Sequence, residues 1–347
     1  MDHLEELKEF ARLHARGQGL SARRTDGVLR RIANDTPGDP RSWAAVWTAE
    51  GREAAAAGRP LDACRHYALA RFPHHGDPGR ALAQRLCAGT FRTWSEGRPG
   101  IERLDIAYEG ASFGCWAAGL DAERPRPLVV VMGGIVSVKE QWAPLLPKLA
   151  RLGFAAVVTE LPGVGENTLP YRPGSWRMLP HLFDRLAGRA DVTDASLLAL
   201  SFSGHLALRA AADDPRIRCI LTVGAPVADF FTDELWWPRV PGITTATLVR
   251  LTRSADRAAL RRLLPQFALT PGQIGAAAVP VRYVASSRDE IIPPREQALL
   301  RRYGHDVRFK TFDDVHGSPA HLGAVRRWLF GRLLGLRHLR GAAGRAR

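Results

Sequence analysis

The sequence predicts an α/β protein: a mostly parallel sheet with helices on both faces, a helical domain ahead of it and a cap inserted late in it. Three observations carry this. Short, uninterrupted apolar runs recur between helix-length stretches: Leu128–Met132, Ala155–Thr159, Ser196–Leu200, Cys219–Val223, Val281–Ala285 and Val307–Phe312. Strands apolar on both sides that alternate with helices belong to a parallel sheet covered on both faces. Ile101–Tyr108 alternates, and Ala111–Leu120 follows Glu109-Gly110, which reads as a hairpin leading into that sheet. Residues 1–100 carry helical spacing instead.

Leu4, Leu7, Phe10, Ala11 and Leu13 have the period of a first helix. Pro37-Gly38-Asp39-Pro40 breaks the chain, and Ser42 is placed to cap a helix through Trp43, Val46, Trp47 and Ala54–Ala57. Gly58 and Pro60 end it; Leu61–Phe72 and residues 80–96 supply two more. Residues 1–100 are therefore assigned to a helical domain and 101–336 to the sheet domain. Between Val223 and Val281 lies more chain than a crossover helix needs, with Phe230, Phe231, Trp236, Trp237 and Phe267 in it. It leaves a strand at its C-terminal end, where open α/β sheets bind ligands, so about 227–277 reads as a cap over a pocket. Trp328–Arg337 reads as the last packing helix and 337–347 as a basic tail.

With 347 residues, 46% hydrophobic and 24% charged, the chain suits one large domain with an appendage and excludes wholesale disorder. It has no run of about 18 apolar residues, and Met1–Glu6 is acidic without an apolar core. A cytoplasmic protein without membrane association is expected. The net charge of +14 comes almost entirely from arginine, since there are only four lysines. The arginines are spread along the chain without a nucleic-acid-binding motif, so no nucleic-acid partner is expected. Cys64, Cys87, Cys115 and Cys219 are widely spaced, as buried thiols in a reducing compartment would be.

The chemistry lies at the strand ends. The run Ser196–Leu200 leads into Ser201-Phe202-Ser203-Gly204-His205 and then a helix, the strand–serine–helix junction of a nucleophile elbow. The residues two before and two after the serine must be small. Ser201 (flanked by Ala199 and Ser203) fits better than Ser203 (flanked by Ser201 and His205). Such a serine needs an acid and then a histidine, in that chain order. Asp289 lies just past the next strand but one, with Glu290 beside it, and His316 follows the last strand; His305 and His321 are less well placed. Ser201 is expected as nucleophile, His316 as its base and Asp289 as the group orienting His316. Oxyanion donors are expected from the N–H of Phe202 and from that of Gly134 or Ile135, where paired glycines permit close approach. Gly133, Trp236 and Trp237 are expected to touch substrate. The hairpin, the six runs and this residue order match the α/β-hydrolase fold. With no G-x-G-x-x-G, Walker lysine or CxxC, neither a metal nor an organic cofactor is expected.

These residues resemble the FrsA-like branch of the α/β-hydrolases, over nearly the whole chain. The matching pieces are Gly133-Gly134 with Ser137, Lys139 and Glu140; Pro162-Gly163-Val164-Gly165-Glu166; Ser201; Gly224-Ala225-Pro226; Asp289-Glu290 with Pro293; His316; and the N-terminal Trp43 and Arg71-Phe72-Pro73. The branch contains esterase-like proteins, polyketide-shortening hydrolases and carbon–carbon bond hydrolases, with acetate-eliminating tetronate enzymes as kin. The resemblance implies a Ser201–Asp289–His316 triad, a lid made of the N-terminal helices, and an inclination to homodimers. Three features depart from the pattern: Ala199 and Ser203 replace the elbow glycines, and Val136 stands where the family has aspartate.

The reading that follows is a serine-dependent hydrolase acting on an ester, thioester or activated carbon–carbon bond of a bulky, polyketide-type small molecule. The basic surface favours an anionic one. The alternative is a lyase that eliminates acetate or another carboxylate from an acylated, tetronate-like intermediate, with Asp233 or Glu234 as an additional acid or base. A second alternative is a non-catalytic binding protein.

Overall fold

The computed structural model describes residues 3–345, with side chains to residue 335. It opens with five helices: α1 (His3–Gly17), α2 (Ala22–Arg31), α3 (Trp43–Ala56), α4 (Pro60–Ala70) and α5 (Pro78–Glu96). Their starts have local causes. The Ser21 hydroxyl accepts the Arg24 N–H at the head of α2, and Asp77 accepts the Arg80 N–H at the head of α5, where Pro78 needs no donor. Helix α2 has no anticipating apolar period, because Thr25, Val28 and Leu29 are its only buried residues.

The hairpin is β1 (Ile101–Tyr108) and β2 (Ala111–Ala118), turned at Glu109 and Gly110, both with positive φ. Then come β3 (Pro127–Met132), α6 (Leu146–Arg151), β4 (Ala155–Thr159), α7 (Met178–Leu186), β5 (Asp191–Ala199), α8 (Phe202–Ala211) and β6 (Ile217–Val223). The insertion holds α9 (Asp229–Thr232), α10 (Gly242–Leu251), α11 (Arg257–Leu263) and α12 (Pro271–Ala276). The chain closes with β7 (Pro280–Ser286), α13 (Arg295–Tyr303), β8 (Asp306–Phe312) and α14 (Leu322–Arg345). The basic tail read at 337–347 lies along the end of α14; its side chains, and residues 346–347 altogether, are outside the described residues. No helix among the described residues is long and apolar enough to cross a membrane.

All eight strands form one sheet in the order β1-β2-β4-β3-β5-β6-β7-β8, with β2 antiparallel to both its neighbours, β1 and β4, and all other neighbours parallel. This is the α/β-hydrolase sheet. The order reverses between β3 and β5, so the loops leaving those strands diverge and open a crevice at their carboxyl ends.

Two apolar clusters build the interior. The larger packs both faces of the sheet. The smaller joins α1–α4, through Leu7, Trp43 and Trp47, to Ile243 of the insertion. The insertion's aromatic residues do not line an open mouth as the cap reading suggests. Phe230, Phe231 and Phe267 are at most 2% exposed and pack on Phe202 and His205 beneath the Ser201 turn. What fastens the insertion is the buried Glu296 carboxylate, which accepts the N–H groups of Val227, Ala228, Asp229 and Phe230 at 2.8–3.2 Å.

Candidate active site

Ser201 occupies the turn between β5 and α8 with φ 57° and ψ −128°. A non-glycine residue holds such a backbone only where its surroundings impose it. Here Leu200 N–H donates to Met132 O at 2.9 Å and Ser201 N–H donates to Val223 O at 2.8 Å, pinning the turn to both neighbouring strands. Ser203, where the elbow pattern has glycine, is fully buried, and its hydroxyl reaches the carbonyls of Met132 (3.0 Å) and Leu200 (2.8 Å). The substitution thus adds a stitch between β3 and the turn. The demand for glycine moves to Gly204, where a β-carbon would lie 2.2 Å from Thr222 Oγ1 and 2.6 Å from Ala225 Cβ.

The loops after β7 and β8 bring the other two groups to the same sheet edge. Ser201 Oγ is 3.0 Å from His316 Nε2. His316 Nδ1 is 2.9 and 3.0 Å from the two Asp289 oxygens, and Asp289 Oδ1 also accepts the N–H groups of Ile291 and Ile292 at 3.0 and 2.8 Å. Glu290 does not compete for the ring. It accepts the His316 backbone N–H at 2.9 Å, so adjacent acids hold the imidazole and its main chain separately. Gly224 makes room: a β-carbon there would lie 2.7 Å from His316 Cε1, at a φ of +58° that itself favours glycine. His305 stays apart, and His321 is taken by Asp314 at 2.9 Å. Burial alone would lower the His316 pKa; Asp289 and Glu290 reverse that and raise it above its ordinary 6.5.

The loop after β3 passes directly over the serine. A β-carbon at Gly134 would lie 3.0 Å from Ser201 Cβ and 3.4 Å from its Oγ. The N–H groups of Gly134, Ile135 and Phe202 have no protein acceptor among the described residues. Gly133 has a reason of its own to be glycine: a β-carbon would meet Ser137 Cβ at 2.4 Å and Trp142 Nε1 at 2.6 Å, where the loop turns back on itself. The two tryptophans have their indole N–H groups engaged by backbone carbonyls. Trp236 donates its indole N–H to Ile291 O at 2.7 Å, and Trp237, 8% exposed, donates to Phe230 O at 3.1 Å. Asp233 caps the turn that follows it through the N–H groups of Leu235 and Trp236, and Glu234 is exposed.

Behind the β3 loop lies a charged network. Lys139 is fully buried, with its ammonium 2.8 Å from Glu140, 3.4 Å from Glu160 and 2.5 Å from Glu166. Arg103 reaches Glu166 at 2.8 Å, and Trp116 Nε1 donates to Glu140 at 3.1 Å. Glu160 accepts the backbone N–H of Lys139 (3.1 Å) and of Glu166 (3.0 Å), tying the β3 loop to the β4 loop. Burial pushes Glu160 up to about 7 against the pull of Lys139; Lys139 itself is raised, because its three carboxylates outweigh its burial.

The N-terminal helices reach the site from the other side, through the β3 loop and the turn beyond His316. Arg71, at the end of α4, is 1% exposed and donates to Val136 O at 2.6 Å, two residues beyond Gly134. His14 of α1 packs on Phe72 with ring centroids 4.9 Å apart, and α1 also touches the Pro319–His321 turn beyond His316. Burial first, then the charges of Arg71 and His316, push His14 down to about 4, so its imidazole is neutral at neutral pH. A separate groove of about 650 Å³, lined by Tyr108, Trp176, His181 and Arg216 among others, shares no residue with this site.

The family model described as Esterase FrsA-like matches residues 42–314. Esterase FrsA of Photobacterium profundum is 22% identical over 349 residues, covering 93% of this chain and 82% of the relative. The solved structure described as AbyA5 Wildtype is 49% identical, with a TM-score of 0.93, covering 99% of this chain and 98% of that one. The 2,6-dihydroxy-pseudo-oxynicotine hydrolase structure is 17% identical with a TM-score of 0.73, over 92% of this chain and 94% of that one, a likeness of fold. By the span of the family match and by its strand order, this chain belongs to the FrsA-like esterase family of α/β-hydrolases.

Proposed function

We propose that the chain is a serine-dependent hydrolase that cleaves an ester, thioester or activated carbon–carbon bond of a bulky, polyketide-type molecule. The observation that carries this reading is the series Ser201 Oγ, His316 Nε2, His316 Nδ1, Asp289, with contacts of 3.0 and 2.9 Å. His316 takes the Ser201 proton as Oγ adds to the acyl carbon, while Asp289 stabilises the imidazolium. The oxyanion forms where the N–H groups of Phe202 and of Gly134 or Ile135 point, each donor contributing about 3 kcal/mol. His316 then protonates the leaving group, and water, deprotonated by the same imidazole, releases the acyl group from Ser201.

Intact mass after treatment with a fluorophosphonate tests this. One adduct is expected on the wild type and none on Ser201→Ala; no adduct on the wild type overturns the nucleophile. Since only the neutral imidazole accepts the proton, the acid limb of kcat/KM should fall above pH 6.5, the ordinary histidine value. A pH–rate profile with its acid limb below that value would contradict the Asp289–His316 coupling.

A second reading is favoured by His14 and Arg71. A neutral imidazole and a guanidinium at one site suit elimination: a base removes the proton next to a carbonyl, the electron pair forms a carbon–carbon double bond, and a carboxylate leaves. The product separates the readings, an alkene for elimination and an alcohol or acid for hydrolysis.

A further inference from the structure

Arg71 is a buried cation without a counter-ion. Its guanidinium makes one hydrogen bond, to Val136 O at 2.6 Å, and its Nε is buried with no partner. No carboxylate stands at ion-pair distance from it among the described residues. The nearby acids are spoken for: Glu160 and Glu140 both lie against Lys139. Burying a full charge against one neutral carbonyl is expensive unless something else completes the site. Two further buried nitrogens in the adjoining segment, His74 Nδ1 and His75 Nδ1, also lack partners. A further cation stands close by, since Arg250 donates to His75 O at 3.3 Å.

The position is as telling as the charge. Val136 belongs to the loop whose Gly134 lies over Ser201, so the guanidinium is fixed at the rim of the serine crevice. His14, on Phe72, spans from there towards the His316 loop, and it stays partly exposed although protein encloses it.

We propose that Arg71 is the anion-recognition residue of this site, pairing with a carboxylate or ionised enol oxygen of the bound molecule while its acyl carbon faces Ser201. The proposal rests on the reading of Ser201 as the reacting group. It names the substrate class as an acyl compound carrying a negative charge beside the acyl group. A planar guanidinium with unfilled donors suits an oxyanion with a second oxygen nearby, as in a carboxylate or the ionised enol of a 1,3-dicarbonyl.

The test is calorimetric titration of the full chain with benzoate and with benzamide, at neutral pH and constant ionic strength. Wild type should bind benzoate about tenfold more tightly than the neutral amide. Arg71→Lys should keep part of that preference, and Arg71→Met should bind the two alike while keeping the wild-type circular dichroism. Equal binding of the two by wild type, no binding of benzoate, or a preference that survives Arg71→Met overturns the proposal. Benzoate should also protect Ser201 from the fluorophosphonate in wild type but not in Arg71→Met. A wild type that prefers benzoate yet never forms the adduct would retain the anion site and remove the serine chemistry, so the two failures are distinguishable.

Discussion

Asp289→Asn should lower kcat about 10⁴-fold, with a parallel fall in the rate of fluorophosphonate labelling and little change in stability. The carboxylate has two duties. It accepts the His316 Nδ1–H, and its Oδ1 accepts the Ile291 and Ile292 N–H groups. An asparagine oxygen keeps the second duty, so the loop holds its shape. Its amide nitrogen then faces Nδ1 and, being a donor, drives the ring proton to Nε2. That nitrogen can no longer accept from Ser201. Glu290→Gln makes the control, because glutamine still accepts the His316 backbone N–H and should cost far less. Equal labelling rates for wild type and Asp289→Asn would show that the imidazole is oriented by something other than Asp289.

Lys139→Met should be the most destabilising change in the β3 loop, costing about 3–5 kcal/mol at neutral pH. The ammonium is the shared cation of Glu140, Glu160 and Glu166, and the first two carboxylates are at most 1% exposed. Without it Arg103 still serves Glu166, while Glu140 and Glu160 lose the cation that offsets their burial. The pH dependence has a definite sign. Burial already raises Glu160 to about 7 with Lys139 present. A group whose folded pKa is raised stabilises the fold below its unfolded pKa and loses that contribution as pH rises through the folded one. The deficit contributed by Glu160 should therefore be small below pH 7, where this carboxyl is protonated with or without Lys139, and grow as pH rises above 7. Urea midpoints measured below and above that pH check it; a deficit that does not change with pH would mean that the carboxylates find other partners.

The sheet was legible because its strands announce themselves. Leu128–Met132 is apolar at every position and Ala155–Thr159 at all but its last, as a doubly covered strand requires, and the observed strands differ from the runs by a few terminal residues. The placing of Ser201, Asp289 and His316 at one edge was readable for the same reason, since each follows a strand of a parallel sheet. What stayed hidden depends on partners instead of periods. An aromatic run signals burial but not its direction: Phe230 and Phe231, in the segment read as a cap, are core. Adjacent acids at 289 and 290 look alike until the backbone turns one towards a ring and the other towards an N–H. Arg71 and Val136 are 65 residues apart and share no pattern; only the packing of the helices on the sheet brings them together.

The smaller apolar cluster has a consequence for the order in which the molecule is made. Most of its members lie between Leu7 and Ala83, so the first helices leave the ribosome with nearly all of their own interior. The pieces that seat them come much later: Ile243 of the insertion, and Arg326 of α14, which donates to Gly17 O at 2.7 Å across a separation of 309 residues. Until those segments are synthesised, the first helices have their own interior and the early contacts to the β3 loop, Arg71 with Val136 O among them, but not their contacts to the insertion and to α14. The last of the native contacts that seat α1 is therefore available only once α14 has been made.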